Sequence, residues 1–414
     1  MMTKRKIIND PVYDGFLGID DAEILRVIEH PWFQRQRRIK QLGFTYLVYP
    51  GAMHTRFSHM LGALNLMGRA LEVLRQKGVE ISDEECRAAK LAILLHDIGH
   101  GPFSHTSERV LADVQHETLT LMMMETMCAQ MDSMALRLCI DIFSNKYPKQ
   151  FLHQLVSSQL DMDRLDYLSR DSFFTGVSEG IVGTDRIISM LNVYDDQLVV
   201  DEKGIYSVEK FIISRRLMYW QVYMHKTVIA ADQVLLNILR RVRHLIDNGN
   251  RDALLETAAG PLYDFLTHHY TVADFRADAS LIDRFAQVDD DDVAVAVKRW
   301  QQCGDPILST LCSNLVNRRL PAIKMSNDRM AIESEAEAWR KSLKMDAEEV
   351  QYFVGTGTLR NRSYDFADQE INVLYKDGRC LPIGEASDQL DHHFLEKQVT
   401  KYYCFHPKEV KMQL

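Results

Sequence analysis

A chain of 414 residues with 46% hydrophobic and 26% charged side chains has ample material for a large core, which excludes a disordered, collagen-like or low-complexity protein. The formal net charge of −9 disfavours an extended contact with nucleic acid but leaves room for a local basic pocket that holds a small polyanion. Cys86, Cys128, Cys139, Cys303, Cys312, Cys380 and Cys404 contain no CxxC pair, so they read as reduced, mostly buried thiols and not as zinc ligands or a disulfide frame.

The opening Met-Met-Thr-Lys-Arg-Lys leads into polar sequence without an apolar secretory stretch, and no apolar run reaches the length of a membrane span. A soluble, cytoplasmic protein with no membrane partner is the expectation. From Asp21 to about Leu245 apolar residues recur every three or four positions, as in Phe57, Met60, Leu61, Leu64 and Met67, which predicts helices. One interruption runs from Asn192 to Val208, where two β-rich runs flank Asp201 to Gly204 and predict a hairpin with its turn there. The helical pattern resumes at Glu209 and passes His225. Asp289 to Asp292 precede Val293-Ala-Val-Ala-Val and read as a helix cap and dipole device, not as a cation site.

After about Glu349 the texture changes. Tyr352-Phe-Val-Gly, Ile371 to Tyr375 and Lys401 to Phe405 read as strands, with Asp377-Gly378 as a turn. The expected architecture is mainly α: a catalytic helical domain over residues 1–245 with a small β-hairpin insertion, a helical extension over 246–348, and a small α+β region over 349–414. No solenoid-like repeat is present.

Two dense stretches carry the chemistry. Leu94-Leu95-His96-Asp97-Ile98-Gly99-His100-Gly101-Pro102-Phe103-Ser104-His105 closes an apolar run with an adjacent His-Asp pair, and six of the 15 histidines lie between His54 and His116. In Asp161 to Asp171, a helix places Asp163, Asp166, Tyr167, Arg170 and Asp171 on one face, which is expected to meet solvent or a ligand. Imidazoles with carboxylates suit a borderline divalent cation and leave positions for water and a phosphate oxygen. His54 reads equally well as a hydrogen-bonded core residue, while His153, His244, His268, His269, His392, His393 and His406 are given no role.

His59, His96-Asp97 and Asp163 form the H…HD…D pattern, and through it the chain resembles the HD-domain metal-dependent phosphohydrolases. Phe33-Gln-Arg35, Arg37-Arg38-Ile-Lys-Gln-Leu-Gly43, Tyr49-Pro-Gly-Ala52, His54-Thr-Arg-Phe-Ser-His59, the His96 to His105 stretch and Asp163-Arg-Leu-Asp-Tyr167 are similar to the deoxynucleoside triphosphate triphosphohydrolases. These words span about residues 6 to 230. The resemblance implies an HD-type helical core and hydrolysis of a dNTP to deoxynucleoside and triphosphate, with His59, His96, Asp97 and Asp163 on a divalent metal (Mn, Fe, Ni, Zn, Co or Mg). It implies an acid/base pair in His105 and Glu108, with His100 and His116 at phosphate oxygens.

By the same resemblance Gln41 matches a sugar-edge contact, Arg56, Arg164 and Arg215 phosphate contacts, Tyr167 a tyrosine near phosphates and sugar, Asp171 a contact to the 3′-hydroxyl, and Tyr223 a wall at the sugar 2′ position. Met224 stands where a eukaryotic relative has a base-reading glutamine, and methionine has no hydrogen-bonding edge, so the base preference stays open. Lys6, Asn9, Glu29, Gln34 and Arg37 match a regulatory pocket filled by an activator nucleotide in homo-oligomeric relatives, which makes an allosteric dimer or tetramer an expectation. Two other functions fit parts of the pattern: an HD-type nucleotidase or phosphodiesterase, and a nucleotide-sensing or nucleic-acid-binding protein without turnover.

Overall fold

In the computed structural model the described residues are 6–13, 15–249, 260–362, 364, 369–391, 395–396 and 398–408, with only the backbone described at His105, Arg109 and Arg362. His392 and His393 lie outside the described residues. The chain begins with an antiparallel hairpin, β1 (Lys6–Asp10) and β2 (Gly15–Ile19), in which Lys6 pairs with Ile19 and Asp10 with Gly15. Helix α1 (Ala22–Glu29) follows, its first turn capped by the Asp21 carboxylate, which accepts from the N–H groups of Glu23 and Ile24.

The core of the amino-terminal half is built from α2 (Arg56–Gln76), α3 (Asp83–Leu95), α4 (His116–Met131), α5 (Met134–Phe143) and α6 (Met162–Thr175). Helix α2 is buried nearly all round, with Met60, Leu66 and Met67 inaccessible, because α3 and α6 cover two of its sides. Ser82 and Glu85 form a reciprocal cap at the start of α3, the Ser82 hydroxyl accepting from the Glu85 N–H at 3.1 Å and the Glu85 carboxylate from the Ser82 N–H at 2.7 Å. At α6 the cap is Asp161, whose carboxylate accepts from the Arg164 N–H at 2.7 Å, and Gly176 ends the helix in the left-handed region at φ 74°.

Helices α2 and α6 approach so closely that only glycine fits at Gly62. A β-carbon there would collide with the Asp166 carboxylate and the Arg170 guanidinium.

Strands β3 (Leu191–Tyr194) and β4 (Gln197–Asp201) form the inserted hairpin. Its turn lies at Asp195-Asp196, both at positive φ, and not at Asp201 to Gly204 as the sequence pattern suggests; Glu202–Gly204 is instead a tight helical turn leading into α7 (Ile205–Met218). Aspartate tolerates left-handed backbone, so this pair serves the turn without glycine. A π-helical turn over Tyr219–Tyr223, closed by the Met224 N–H on the Tyr219 carbonyl at 2.7 Å, joins α7 to α8 (Lys226–Asp247).

Beyond it lie α9 (Asp290–Trp300), α10 (Pro306–Val316), strand β5 (Ala322–Ser326) and α11 (Arg329–Ser342). The expected cap at α9 is present: Asp289 and Asp292 form a reciprocal capping box. The last strands are β6 (Gly355–Arg362), β7 (Asn372–Leu374), β8 (Cys380–Pro382) and β9 (Gln398–His406). Tyr352 to Val354 form a buried turn and not a strand, and β5 falls within the stretch expected to be helical. The order β5-β9-β6 makes one sheet, while β7 runs parallel to β4, so that β3-β4-β7-β8 makes another. The architecture is mainly α, with the small sheets at its margins.

Candidate metal centre and phosphate site

The loop from His96 to Ser107 is pinned from several sides. The buried Arg35 donates to the His100 carbonyl at 3.0 Å and the Val288 carbonyl at 2.7 Å, Gln36 donates to the Ile98 carbonyl at 3.0 Å, and the Thr120 hydroxyl donates to the His96 carbonyl at 3.2 Å. Asp290, at the start of α9, accepts from the Phe103 N–H at 2.8 Å and the Lys40 N–H at 2.9 Å, while Asp289 pairs with Arg38. Phe103 and Ser104 both sit in the left-handed region, at φ 51° and 49°, a conformation that persists only where its surroundings hold it.

Four of the predicted residues converge. His59 Nε2 lies 3.1 Å from Asp163 Oδ1, 3.3 Å from His96 Nε2 and 3.8 Å from Asp97 Oδ2, and His96 Nε2 lies 3.4 Å from Asp163 Oδ1. Each imidazole has its other nitrogen committed: His59 Nδ1 lies 2.7 Å from Asp166 Oδ2, and His96 Nδ1 lies 2.6 Å from the Ile93 carbonyl. That fixes both rings with Nε2 turned inward. Donors about 2.1 Å from one cation stand about 3.0–3.4 Å apart in octahedral or tetrahedral geometry, so His59, His96 and Asp163 fit a divalent ion, with Asp97 beside them at 3.8 Å from His59. Burial opposes a charged His59, but Asp163 and Asp166 outweigh it and push its pKa up to about 10. The histidines in turn hold Asp163 well below the usual carboxylate range against the effect of burial.

Asp166 and Arg170 were expected on a face meeting solvent or ligand. They are instead fully buried against α2 and the first hairpin. Arg170 spans Asp166, at 2.9 Å, and Asp10, at 2.7 Å, and the Tyr13 hydroxyl donates to Asp166 Oδ1 at 2.6 Å. Burial alone would raise the Asp166 pKa; Arg170 and His59 hold it down to about 2. The polar residues of α6 thus divide into two stripes, Asp163, Tyr167 and Asp171 on one and Asp166 and Arg170 on the other, a division the sequence pattern does not reveal.

A second cluster adjoins the first through Asp97. His100 Nε2 lies 3.4 Å from Asp97 Oδ1, His100 Nδ1 lies 2.9 Å from Glu108 Oε1, and His116 Nδ1 lies 3.3 Å from the same oxygen. The His100 and His116 rings stack at 3.8 Å. Burial and Arg56 lower the His100 pKa, whereas Glu108 raises that of the less buried His116. Arg56 pairs with Asp97 and donates to the Ser104 hydroxyl at 2.8 Å. His105 lies in the tight turn Ser104–Thr106, and its side chain is outside the described residues.

Toward the other end of α6, the Tyr223 hydroxyl donates to Asp171 Oδ2 at 2.7 Å and His54 Nε2 lies 2.8 Å from Asp171 Oδ1. The Tyr167 and Tyr223 rings meet edge to face at 6.2 Å. Gln41 joins this group through its N–H, which donates to the His54 carbonyl at 3.1 Å. Arg164 lies 3.4 Å from Asp161, and Arg215 donates to Gln159 at 3.4 Å. Lys6 pairs with Glu29 at 3.0 Å, and Gln34 accepts from Arg37 at 2.9 Å while donating to the Ile28 carbonyl at 2.6 Å; Asn9 lies on β1 opposite Phe16. Sequence reasoning missed Asp10, Tyr13, Arg35, Gln36, Thr120 and Asp290. Of these only Arg35, in Phe33-Gln-Arg35, and Asp290, in the Asp289 to Asp292 cap, lie within a stretch already singled out.

The chain matches the HD domain over residues 56–171 and the HD-associated region over residues 182–257. It belongs to the HD-domain phosphohydrolases and resembles the deoxynucleoside triphosphate triphosphohydrolases among them. A solved phosphohydrolase from Bacteroides thetaiotaomicron VPI-5482 superposes with a TM-score of 0.90 at 46% identity, covering 97% of this chain and all of that one. An uncharacterized Bacillus subtilis protein, YwfO, is 31% identical over 99% of this chain and 94% of its own length. The Dictyostelium discoideum homolog of the deoxynucleoside triphosphate triphosphohydrolase SAMHD1 is 32% identical over 53% of this chain, which spans only 46% of that relative. Among the described residues no helix is long and apolar enough to cross a membrane.

Proposed function

We propose that the protein hydrolyses deoxynucleoside triphosphates to deoxynucleoside and triphosphate. The observation that carries this reading is the stripe of α6: Asp163 stands in the metal cluster, Tyr167 one turn on, and Asp171 a further turn on against Tyr223. Eight residues of helix span about 12 Å, which suits a ligand with its phosphate at one end and its sugar hydroxyl at the other. The named relative from Dictyostelium supports the same substrate.

His59, His96, Asp97 and Asp163 would hold a divalent metal, which supplies charge neutralisation at the phosphoryl group and activation of water. Water attacks the α-phosphorus, the bond from phosphorus to the 5′ oxygen breaks, and the leaving oxygen takes a proton. His105 and Glu108 are assigned to proton transfer, and His100, His116, Arg56, Arg164 and Arg215 to the phosphate charge. Tyr167 packs beside phosphates and sugar, Gln41 and Asp171 meet sugar hydroxyls, and Tyr223 excludes a 2′-hydroxyl. Lys6, Asn9, Glu29, Gln34 and Arg37 are assigned to an activator nucleotide in a cytoplasmic homo-oligomer.

Product analysis tests this. Protein loaded in turn with Mn, Mg or Co is incubated with each dNTP singly and with all four mixed, and products are resolved by ion-pair chromatography. Triphosphate with deoxynucleoside is expected, and activity confined to the mixture would show nucleotide activation. Release of inorganic phosphate or monophosphate would overturn the reading in favour of another HD-type phosphoester hydrolysis, and nucleotide binding without product in favour of a sensor.

A further inference from the structure

The His54 side chain is more buried than those of His96, Asp97 and Asp163 and has no part in the reaction just described. Its side chain is 1% exposed, and its ring stacks on Phe174 at 4.7 Å with an interplanar angle of 16°. The chain reaches this place because Gly51 passes so close to the Phe174 carbonyl that a β-carbon would collide with it. His54 Nε2 lies 2.8 Å from one oxygen of Asp171, and the Tyr223 hydroxyl donates to the other at 2.7 Å. Asp171 is itself 1% exposed. Two atoms nearby in the chain, His54 Nδ1 and Gln41 Oε1, are buried without a hydrogen-bond partner, which a folded protein tolerates mainly where a ligand or water completes the set.

A carboxylate offers about four acceptor directions on its two oxygens. Held by one donor, it turns about its own axis; held by one on each oxygen, its plane is fixed and the remaining acceptor directions point to set places. We propose that His54 is a specificity-determining positioning residue: its Nε2–H locks Asp171 against Tyr223, so that the carboxylate presents a fixed acceptor to the 3′-hydroxyl of the sugar. This rests on the dNTP reading. It adds a residue that touches no reacting atom yet sets how strongly the enzyme prefers a 3′-hydroxyl over a 3′-hydrogen.

The test compares wild type, His54→Phe and His54→Gln on a dNTP and on its 2′,3′-dideoxy analogue, with kcat and KM measured separately. Phenylalanine keeps the stack on Phe174 and removes the donor; glutamine restores an N–H at similar reach. A hydrogen bond to a charged group contributes about 1.5–3 kcal/mol, so in His54→Phe KM for the dNTP rises about tenfold or more with kcat within about threefold, and the preference over the dideoxy analogue falls by a similar factor. His54→Gln recovers most of that preference. If His54→Phe does not fold, as judged by thermal melting, His54→Asn, whose amide is too short to reach Asp171, must show the same fall. An unchanged preference, or equal losses on both substrates, overturns the role of His54 and leaves the dNTP reading intact. Absence of dNTP turnover by wild type overturns both.

Discussion

The imidazole of His59 and the carboxylate of Asp166 meet at 2.7 Å in a place that solvent does not reach, 107 residues apart in sequence. That contact sets the ring so that Nε2, and not Nδ1, faces Asp163 and His96. Carboxylate partners of this kind typically change metal affinity by about 10–100-fold. Asp166→Asn is therefore expected to weaken Mn binding by that factor while Asp163→Ala abolishes it together with activity. Competition with a chromophoric chelator measures both, and full metal stoichiometry in Asp163→Ala would defeat the assignment of the centre.

Gly62 lets α2 and α6 touch. Gly62→Ala forces the added methyl against Asp166 and Arg170, and overpacking of this kind costs about 1–3 kcal/mol. A lower melting temperature and weaker metal binding are expected together, because the displaced side chain is the one that orients His59. Calorimetry with and without Mn separates the two effects; a variant as stable as wild type would show that the helices have room to part.

Asp290 accepts from two backbone N–H groups in different segments, Lys40 and Phe103. Asp290→Ala leaves both donors without their acceptor, at about 1–3 kcal/mol each, and frees the left-handed turn at Phe103-Ser104. Expected are faster amide exchange over residues 97–107 and a fall in kcat larger than the change in KM. Exchange confined to α9 would place the effect elsewhere.

Asp305 caps α10 by accepting from the Leu308 N–H at 2.7 Å, and Arg241 donates to it through two nitrogens, at 2.7 and 3.1 Å. Burial disfavours its charge, but Arg241 and the cap outweigh this and keep its pKa below the ordinary value. A carboxylate depressed in the folded state stabilises above its unfolded pKa of about 4, and this contribution fades as pH falls through the lower folded value. Asp305→Ala should cost about 1 kcal/mol at neutral pH, with the gap to wild type closing below about pH 4. Urea midpoints at pH 7 and pH 3 decide it; a gap that stays constant would assign the effect to packing.

Arg37 lies over the Phe57 ring at 3.5 Å from its centroid and donates to Gln34. If this face takes an activator nucleotide between subunits, Arg37→Ala loses nucleotide-dependent assembly and the stimulation of rate by a second dNTP, with the basal rate kept. Sedimentation and rate measured with added nucleotide check this together; no change in either would remove the regulatory assignment.

The candidate metal residues are legible in sequence because a ligand pattern needs particular residue types, and His59, His96, Asp97 and Asp163 carry it by type alone. What supports them is not. Asp10, Tyr13 and Arg170 are ordinary polar residues until the first hairpin folds onto α6, and the amphipathic pattern of α6 could not tell a buried ionic stripe from a solvated one. The inserted hairpin is visible in the sequence but its turn is not, since Asp201 to Gly204 carries the stronger glycine signal while Asp195-Asp196 adopts the turn conformation. At Tyr352 to Val354 the aromatic and β-branched run that suggests a strand marks burial alone, and β5 escaped notice because its pairing partner β9 lies more than 70 residues further on.

Helix α6 behaves like a camshaft. Asp163, Tyr167 and Asp171 ride on one side of its axis and Asp166 and Arg170 on another, so a rotation of a few degrees would carry Asp163, Asp171 and the brace on His59 along together, each in its own direction. On the proposed reading, ion geometry and sugar choice are geared to one shaft, and whatever turned it, at the hairpin end through Asp10 or at the Gly176 end, would retune both.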